Sequence, residues 1–406
     1  MSQEEEEPAS PGARLMQAPG FNLCILAVMG YLTPIDVNLF KNELERTLVK
    51  HPRFSSLLIV NNKKLGKYSW KRTKVDLEKH VIAPDLDPEM ENPDAFVEDY
   101  ISGLSKNQLD QSKPVWEVHV LNVKNSDANS TIIFKIDHSI GDGVSLISLV
   151  MACARKNPDP ESLPVIPPKK QKKNNVKNNG LMKRLFVLVW TMFLIIFNTL
   201  SDCICFLATI LFLKDTETVI KAGKGVELYP KKYVRRIISL DEVKFVKNAM
   251  NVDLAEMMEK EKLLKGMWGN IVGIVILPLT IVLQDDPLNY IRRAKATMDR
   301  KKLSLGHSVA FGVMKLMLML FGNKIAAGVS TGVFRNTTLT FSNVVGPKEE
   351  INVFGHPLAY IAPSVFGADE KFIPNPHQLG DDLVKSFENI KEAVIKSGLV
   401  KGSEFC

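Results

Sequence analysis

The first 156 residues alternate segments with the hydrophobic spacing of strands and segments with the spacing of helices. The run FNLCILAVMGYL predicts a buried strand, and VNLFKNELERTLVKHP predicts an amphipathic helix that ends before Pro52. Its apolar stripe is predicted to contain Val37, Leu39, Phe40, Leu44 and Leu48. RFSSLLIVNNKKLGKYSWKRTKV predicts a hairpin that turns at Asn61 and Asn62.

The alternation continues up to residue 156. DAFVEDYISGLSKNQL predicts a helix, WEVHVLNV and TIIFKI predict two strands, and VSLISLVMACARK predicts another helix. We therefore expect a mixed α/β lobe over residues 11–156, preceded by an acidic tail over residues 1–10.

The middle of the chain changes character. Residues 157–184 are rich in Pro, Lys and Asn, which predicts a basic linker. Residues 185–213 form an apolar run long enough to cross a hydrocarbon core, although Asn198 and Asp202 interrupt it. Three interpretations follow: a spanning helix, a re-entrant or surface-lying hairpin, or a buried helix of a soluble protein. Seven Lys or Arg precede the run and seven follow it up to Arg236, so the flanking charges assign no orientation.

Residues 214–406 are predicted to form a second lobe. PLNYIRRAKATMDRKK, SVAFGVMKLMLMLFG and the final DDLVKSFENIKEAVIKS have helical spacing, and TTLTFSNVVG has the pattern of a strand. With 406 residues, two lobes are expected rather than one core.

Charge and cysteine usage narrow the class of partner. The 52 Lys and Arg exceed the 45 Asp and Glu by 7, and the cations of residues 169–184 alone match this excess. A nucleic-acid binder would spread its cations over a folded face, so we expect membrane lipid as a partner and no nucleic acid.

The five cysteines are scattered, which argues against disulfide and zinc sites and for a reducing compartment. The acidic N-terminus is unlike a secretory signal, so we expect the lobes in the cytosol.

Two segments carry candidate chemistry. In FKIDHSIGDGVSL, a predicted strand is followed by Asp137 and His138, and Gly141 and Gly143 bracket Asp142 before a predicted helix. Such a loop suits a histidine that acts as a base, but His138 and Asp142 could equally serve only to cap the turn and the helix. In FSNVVGPKEEINVFGHPLAYIAPSVFG, a predicted strand ends at Ser342 and Asn343, small polar residues that could support an oxyanion, although such a turn is more often only structural.

These segments, together with PASPGARLM, the Pro114-Val115-Trp116 step, HSIGDG and the block WGN...LP...DDPLNYIRRAKATMDRKKLSL, resemble the plant wax ester synthase/diacylglycerol acyltransferase family. The resemblance runs in order from Glu5 to the C-terminal helix. The H-x-x-x-D-G pattern is shared with the wider superfamily of CoA-dependent acyltransferases, which includes chloramphenicol acetyltransferase.

The resemblance implies a bilobed α/β fold in which each lobe is a mixed sheet flanked by helices. It implies transfer of a fatty acyl group from acyl-CoA, the co-substrate, to a long-chain alcohol or to diacylglycerol. His138 would be the general base, Asp142 would hold the loop, and Gly143 would let the backbone turn closely. Ser342 or Asn343 would support the oxyanion. No cofactor, metal or covalent enzyme intermediate is implied.

The chain departs from the family pattern at three places. Asp137 stands where the family has a first histidine, and a carboxylate there would favour the charged imidazole and reduce activity. Family segments are missing after Met250 and after Gly367, which would remove strands from the second lobe. A catalytically impaired homologue that binds lipid or acyl-CoA is therefore the alternative, and transfer to phenolic acceptors is a third hypothesis. The implied localisation is the endoplasmic reticulum membrane, with the plasma membrane as alternative.

Overall fold

The computed structural model describes residues 6–17, 23–61, 67–156, 181–218, 220–221, 231–252, 268–270, 273–279, 282–347, 349–365, 368–369, 373 and 375–399. Its strands are β1 (Glu6–Pro8), β2 (Cys24–Tyr31), β3 (Ser56–Asn61), β4 (Lys67–Arg72), β5 (Val81–Ile82), β6 (Trp116–Leu121), β7 (Ser130–Asp137), β8 (Ala154–Lys156), β9 (Lys231–Lys232), β10 (Ile351–Val353), β11 (His356–Ser364) and β12 (Ala368–Asp369). Its helices are α1 (Pro11–Met16), α2 (Val37–Arg46), α3 (Pro93–Lys106), α4 (Gly143–Cys153), α5 (Leu181–Leu211), α6 (Leu240–Ala249), α7 (Leu288–Lys302), α8 (Gly306–Leu320), α9 (Gly322–Asn336) and α10 (Pro376–Lys396).

A seven-stranded sheet forms the centre of the molecule, in the order β5-β6-β7-β2-β11-β10-β8. Its middle strands β6, β7, β2 and β11 pair antiparallel, and β7 is buried along its whole length. Strands buried on both faces are expected to contain continuous apolar runs, and residues 132–134 at the centre of β7 form such a run. Strands β1, β4 and β3 form a second sheet, and β9 and β12 form a two-stranded ladder.

The main core lies between this sheet and the helices of the first half. Phe40 of α2 packs edge-on against Phe354, which follows β10, with ring centroids 5.3 Å apart. Phe354 also stacks on Phe134 of β7. Residues near the end of the chain therefore complete the core of the first lobe.

Most of the predicted elements are confirmed. These are β2, α2, the β3–β4 hairpin, α3, β6, β7, α4, α7, α8 and the C-terminal helix α10. Asn61 ends β3, whereas Asn62 lies outside the described residues. Leu39 was wrongly placed on the buried stripe of α2, since it is exposed while Phe40, Leu44 and Leu48 are buried.

Two predictions at the ends of elements are wrong. The segment predicted to continue α4 through Ala154 to Lys156 instead forms β8, which pairs with β10. The segment TTLTFSNVVG, residues 337–346, is irregular rather than a strand. An alternating pattern forms a strand only where a neighbouring strand supplies hydrogen bonds, and none does so within the described residues.

The second half of the chain is mainly helical in its described part. It contributes the helices α6–α10, while β10 and β11 join the sheet of the first half. Within the described ranges, two ladders are made wholly of second-half residues: β9–β12, and β10–β11, which belongs to the sheet of the first half. This agrees with the predicted shortage of strands, although LAEMM and Gly367, which adjoin the two missing segments, lie outside the described residues.

Candidate active site

His138 lies directly after the last residue of β7, in the loop that leads to α4. The loop is tight because Asp137 O accepts from Ile140 N at 3.1 Å and the Asp142 side chain caps α4, accepting from Ser145 N at 3.0 Å. His138 N donates to Leu23 O at 2.9 Å, which ties the loop to the start of β2. His138 and Asp142 are both buried. The capping geometry predicted for Asp142 is therefore present, and it holds the histidine at the end of a buried strand.

Asn270, from the other half of the chain, fixes the His138 ring. Its Nδ2 donates to the backbone oxygens of His138 at 2.7 Å and Ser139 at 3.3 Å. Carbonyl oxygens only accept hydrogen bonds, so the orientation of the amide is determined. Its Oδ1 then lies 3.0 Å from His138 Nδ1 and must accept a hydrogen bond from it. In the neutral ring the proton is therefore on Nδ1, and Nε2 is the basic nitrogen.

Asp137 is directed to a different set of partners. Its carboxylate accepts from Ser139 N at 2.8 Å and from Gln17 Nε2, beyond the end of α1, at 3.0 Å. Burial raises the pKa of Asp137 above its ordinary value, although the hydrogen bonds from Ser139 and Gln17 and the charge of His138 oppose the rise. The hydrogen bonds from Ser139 and Gln17 to this carboxylate thus stabilise the loop.

The tripeptide Trp268-Gly269-Asn270 packs along the whole loop. Trp268 Nε1 donates to Ile140 O at 2.9 Å, and Gly269 N donates to Ser145 Oγ at 3.2 Å. A Cβ on Gly141 would lie 3.2 Å from the Trp268 ring, so glycine allows this close approach. The loop therefore depends on a segment about 130 residues further along the chain.

Gly143 makes room for a second distant segment. A Cβ at this position would lie 3.2 Å from Val344 Cγ2, while the backbone of Gly143 does not need a positive φ. Ser342 and Asn343 precede Val344, and both are exposed. The structure thus brings the FSNVV segment to the start of α4, and the oxyanion role of Ser342 or Asn343 stays a prediction.

Several residues of this site were not found by sequence reasoning. Gln17, Trp268 and Asn270 were noticed only as parts of family blocks or not at all. Trp268 also packs against His51, with ring centroids 4.0 Å apart and the rings tilted by 43°. No spacing in the sequence marks such contacts, because the partners lie more than 100 positions apart.

The described residues contain no group of three or more His, Cys, Asp or Glu side chains that could hold a metal ion. Cys24, Cys153, Cys203 and Cys205 are free thiols, and Cys406 lies outside the described residues. What the described site presents is a buried His138 imidazole that is oriented by Asn270.

Comparison with known proteins supplies the family. Residues 22–258 match the wax ester synthase/diacylglycerol acyltransferase catalytic domain, and residues 268–371 match the WS/DGAT C-terminal domain. Wax ester synthase/diacylglycerol acyltransferase 11 of Arabidopsis thaliana is 42% identical over 473 aligned residues, covering 97% of this chain and 96% of that protein. Wax ester synthase/diacylglycerol acyltransferase 5 of the same plant is 38% identical over 484, covering 97% and 94%.

The length of the first alignment bears on the missing segments. An alignment of 473 positions is longer than the 406 residues of the chain, so at least 67 positions (473 less 406) have no residue here. The chain is shorter than its relatives while matching nearly all of their extent.

The fold has a solved counterpart. The wax ester synthase/diacylglycerol acyltransferase from Marinobacter aquaeolei VT8 superposes with a TM-score of 0.57 at 16% identity, covering 96% of this chain and 99% of that one. At this identity the likeness shows the fold alone, and it confirms the expected acyltransferase architecture. Together with the two domain matches and the Arabidopsis relatives, it shows that this chain is an acyltransferase of the wax ester synthase/diacylglycerol acyltransferase family.

Proposed function

We propose that the protein transfers a fatty acyl group from acyl-CoA to a long-chain alcohol, giving a wax ester, or to diacylglycerol, giving triacylglycerol. The observation that carries the proposal is the hydrogen bond between Asn270 Oδ1 and His138 Nδ1, because it makes Nε2 the basic nitrogen. The names of the Arabidopsis relatives support the choice of substrates.

In the proposed step, Nε2 of His138 takes the proton of the acceptor hydroxyl. The oxygen attacks the carbonyl carbon of the thioester and forms a tetrahedral oxyanion, which Ser342 or Asn343 supports. When the oxyanion collapses, the C–S bond breaks, and the CoA thiolate leaves and takes the proton back from the imidazolium. Asp142 and Gly143 hold the loop, and the protein supplies no covalent intermediate, cofactor or metal in this scheme.

We also propose that the enzyme works at the cytosolic face of the endoplasmic reticulum, where acyl-CoA and diacylglycerol are handled, with the plasma membrane as the alternative. The apolar helix α5 and the lipid nature of both acceptors support a membrane location.

The alternative of a catalytically impaired homologue rested on Asp137 and on the missing segments. In the described part of the site, His138, Asp142 and Asn270 are in place, and Asp137 is bonded to Gln17 and Ser139. No observation therefore favours the impaired form.

The test is an acyl transfer assay on microsomes that contain the full chain. Labelled palmitoyl-CoA is supplied with hexadecanol or with dioleoylglycerol, and the labelled ester is measured. We expect the His138→Ala variant to lose activity about 10²- to 10⁴-fold, which is the usual contribution of a general base. The matched control is His377→Ala, because His377 is half exposed on α10 and bonds to Glu98. Wild-type activity in His138→Ala would rule out the proposed base.

A further inference from the structure

Helix α5 is a single unbroken helix with a largely unburied apolar surface. In Met182–Leu211, only 11% of the most apolar stretch is buried inside the protein. Trp190, Phe193 and Phe197 form a stacked row whose members are each more than half exposed. Because no turn interrupts Leu181–Leu211, a hairpin within this run is excluded. An apolar surface of this size marks a site of interaction.

The polar groups of α5 face the protein. Asn198 Nδ2 donates to Leu303 O at 3.1 Å, and the Asp202 carboxylate accepts from Lys301 Nζ at 2.6 Å and Ser304 Oγ at 2.7 Å. About two helical turns after Asp202, Thr209 O accepts from Asn336 Nδ2 at 2.6 Å. These groups lie on one stripe of the helix. Asn198 and Asp202, which would be costly in lipid, are satisfied by α7 and the loop before α8, and Thr209 O is satisfied by α9.

The exposed face extends beyond α5. Helix α8 packs against α5 and exposes Leu316, Met319 and Leu320, each by more than half. Between Arg184 and Lys214 the sequence of α5 and its end contains one charged residue, the inward-facing Asp202. Lys183, Arg184 and Lys214, at the two ends, are exposed. An apolar face bounded by cations is complementary to a bilayer with anionic headgroups.

The sheet topology excludes a single crossing of the membrane by α5. Strands β2, β7 and β8 precede α5 in sequence, β10 and β11 follow it, and all five lie in one sheet. A single crossing would place the two sets of strands on opposite sides of the bilayer. The linker before α5 is too rich in lysine to cross in the reverse direction.

The described helices after α5 do not provide a return crossing. Helix α7 carries seven charged side chains, and α8 is bent from it by 57°. Helix α8 has 15 residues, about 22 Å, against about 30 Å of hydrocarbon. By contrast α5 has 31 residues, about 46 Å, which is more than a crossing requires and fits a helix that lies along the surface.

We propose that α5 and the exposed face of α8 form one membrane-docking face, which lies in the plane of a single leaflet and keeps both ends of the chain on the same side. The stripe of Asn198, Asp202 and Thr209 joins this face to the folded body. The proposal does not depend on acyl transfer, because it follows from the exposed surface and the sheet topology alone.

The proposed face is also near the catalytic loop. Leu15 of α1 packs against Leu318 of α8 and Ala326 of α9. At the other end of α1, Gly12 touches Asn270, which bonds to the His138 ring. One short helix thus separates the lipid-facing layer from the base, so an acceptor dissolved in the leaflet has a short path to it.

Binding is tested by flotation of the purified full chain with phosphatidylcholine vesicles, with and without phosphatidylserine. We expect the wild type to float, and phosphatidylserine to increase the bound fraction in a salt-sensitive way. The double variant Phe193→Glu/Phe197→Glu should bind about a hundredfold or more weakly, because two aromatic side chains no longer enter the acyl layer. Leu383→Glu, at a 64% exposed position on α10, is the matched control and should bind like the wild type.

Two results of this experiment would overturn the proposal. One is unchanged vesicle binding by the double glutamate variant. The other is a wild type that ignores vesicles but sediments as a dimer that the double variant dissociates, because the face would then bind a second copy of the chain.

The topology is tested separately, with epitope tags at both termini of the full chain in sealed microsomes. Protease added outside should remove both tags without detergent. If one tag is protected until detergent is added, α5 crosses the membrane and the in-plane arrangement is wrong. The ester assay on the same microsomes keeps this result separate from the proposed function, since an active enzyme with one protected tag would contradict only the topology.

Discussion

At the scale of single residues, the site depends on an amide whose orientation is fixed by the backbone. The Asn270 amide hydrogen-bonds to three atoms of the loop: its Nδ2 donates to two backbone carbonyl oxygens, and its Oδ1 accepts from Nδ1 of the His138 ring. Because only Nδ2 can donate to the carbonyls, Oδ1 must face the ring. A water molecule in the same place could reverse its donor and acceptor roles, whereas this amide cannot. The tautomer of His138 is therefore a property of the fold rather than of the histidine alone.

The Asn270→Ala variant should lower kcat by at least about tenfold. The His138 ring loses the partner that fixes its tautomer, so the enzyme loses part of the 10²- to 10⁴-fold contribution of a general base to the rate. Asn270→Asp keeps an acceptor for Nδ1 but adds a negative charge, which favours the charged imidazole. The acidic limb of its kcat/KM profile should therefore move to higher pH. The measurement is the pH dependence of ester formation for the three proteins. If the acidic limb of the kcat/KM profile does not move in Asn270→Asp, and Asn270→Ala keeps full activity, then Asn270 does not position the base.

At the scale of elements, α1 is a spacer between the lipid-facing helices and the catalytic loop. A Cβ on Gly12 would lie 2.5 Å from Asn270 O and 2.6 Å from Asn270 Cβ, so the helix contacts this segment through bare backbone. The sequence predicted no helix here, because six residues show no periodicity.

The Gly12→Ala variant should therefore displace Asn270 and lower both stability and activity. We expect a loss of about 1–3 kcal/mol in the free energy of unfolding, as for other overpacked positions. Gly103→Ala is the matched control, since Gly103 lies within α3 and a Cβ there would meet nothing within 4 Å. That variant should be more stable by about 0.5–1 kcal/mol. Chemical denaturation measures both, and equal stability of the two variants would contradict the close contact.

Helices and strands were predicted correctly where their own residues form an apolar face. Prediction failed where pairing with a distant strand determines whether the element forms. Helices α2, α3 and α10 have clear periodicity and were found. The short strand β8 lies at the edge of the sheet and forms because it pairs with β10, across nearly 200 residues of sequence. Residues 337–346 have a strand pattern but find no ladder among the described residues.

At the scale of the whole molecule, the two halves of the chain share one core and one site. The ring of His51, in the first half, packs against Trp268 of the second half, and His51 Nδ1 accepts from Arg53 N at 3.3 Å. Burial, and then the charges of Arg53 and Arg72, lower the pKa of His51 to about 4 from 6.5. The folded protein thus keeps this ring neutral at a pH where the unfolded chain protonates it.

Because the folded pKa is the lower one, the unfolded state binds more protons between pH 6.5 and about 4. The contribution of His51 should therefore make the free energy of unfolding fall as the pH decreases through this window. In His51→Gln that decrease should be shallower, because one titrating group is removed. Urea denaturation at a series of pH values measures the two slopes. Identical slopes would show that His51 does not titrate differently in the two states.

The sequence by itself determined the family, the position of His138 between a buried strand and a capped helix, and the apolar run that became α5. These are local features, in which neighbouring residues carry the whole signal as periodicity, capping or motif. The tertiary structure decided that Asn270 orients His138, that Asp137 bonds to Gln17 and Ser139, and that Asn198 and Asp202 turn toward α7 and the loop before α8. Except for the bond between Asp137 and Ser139, each of these contacts joins residues about 100 or more positions apart. A hydrogen bond between such distant segments forms only when the packed core brings its donor and acceptor to within about 3 Å.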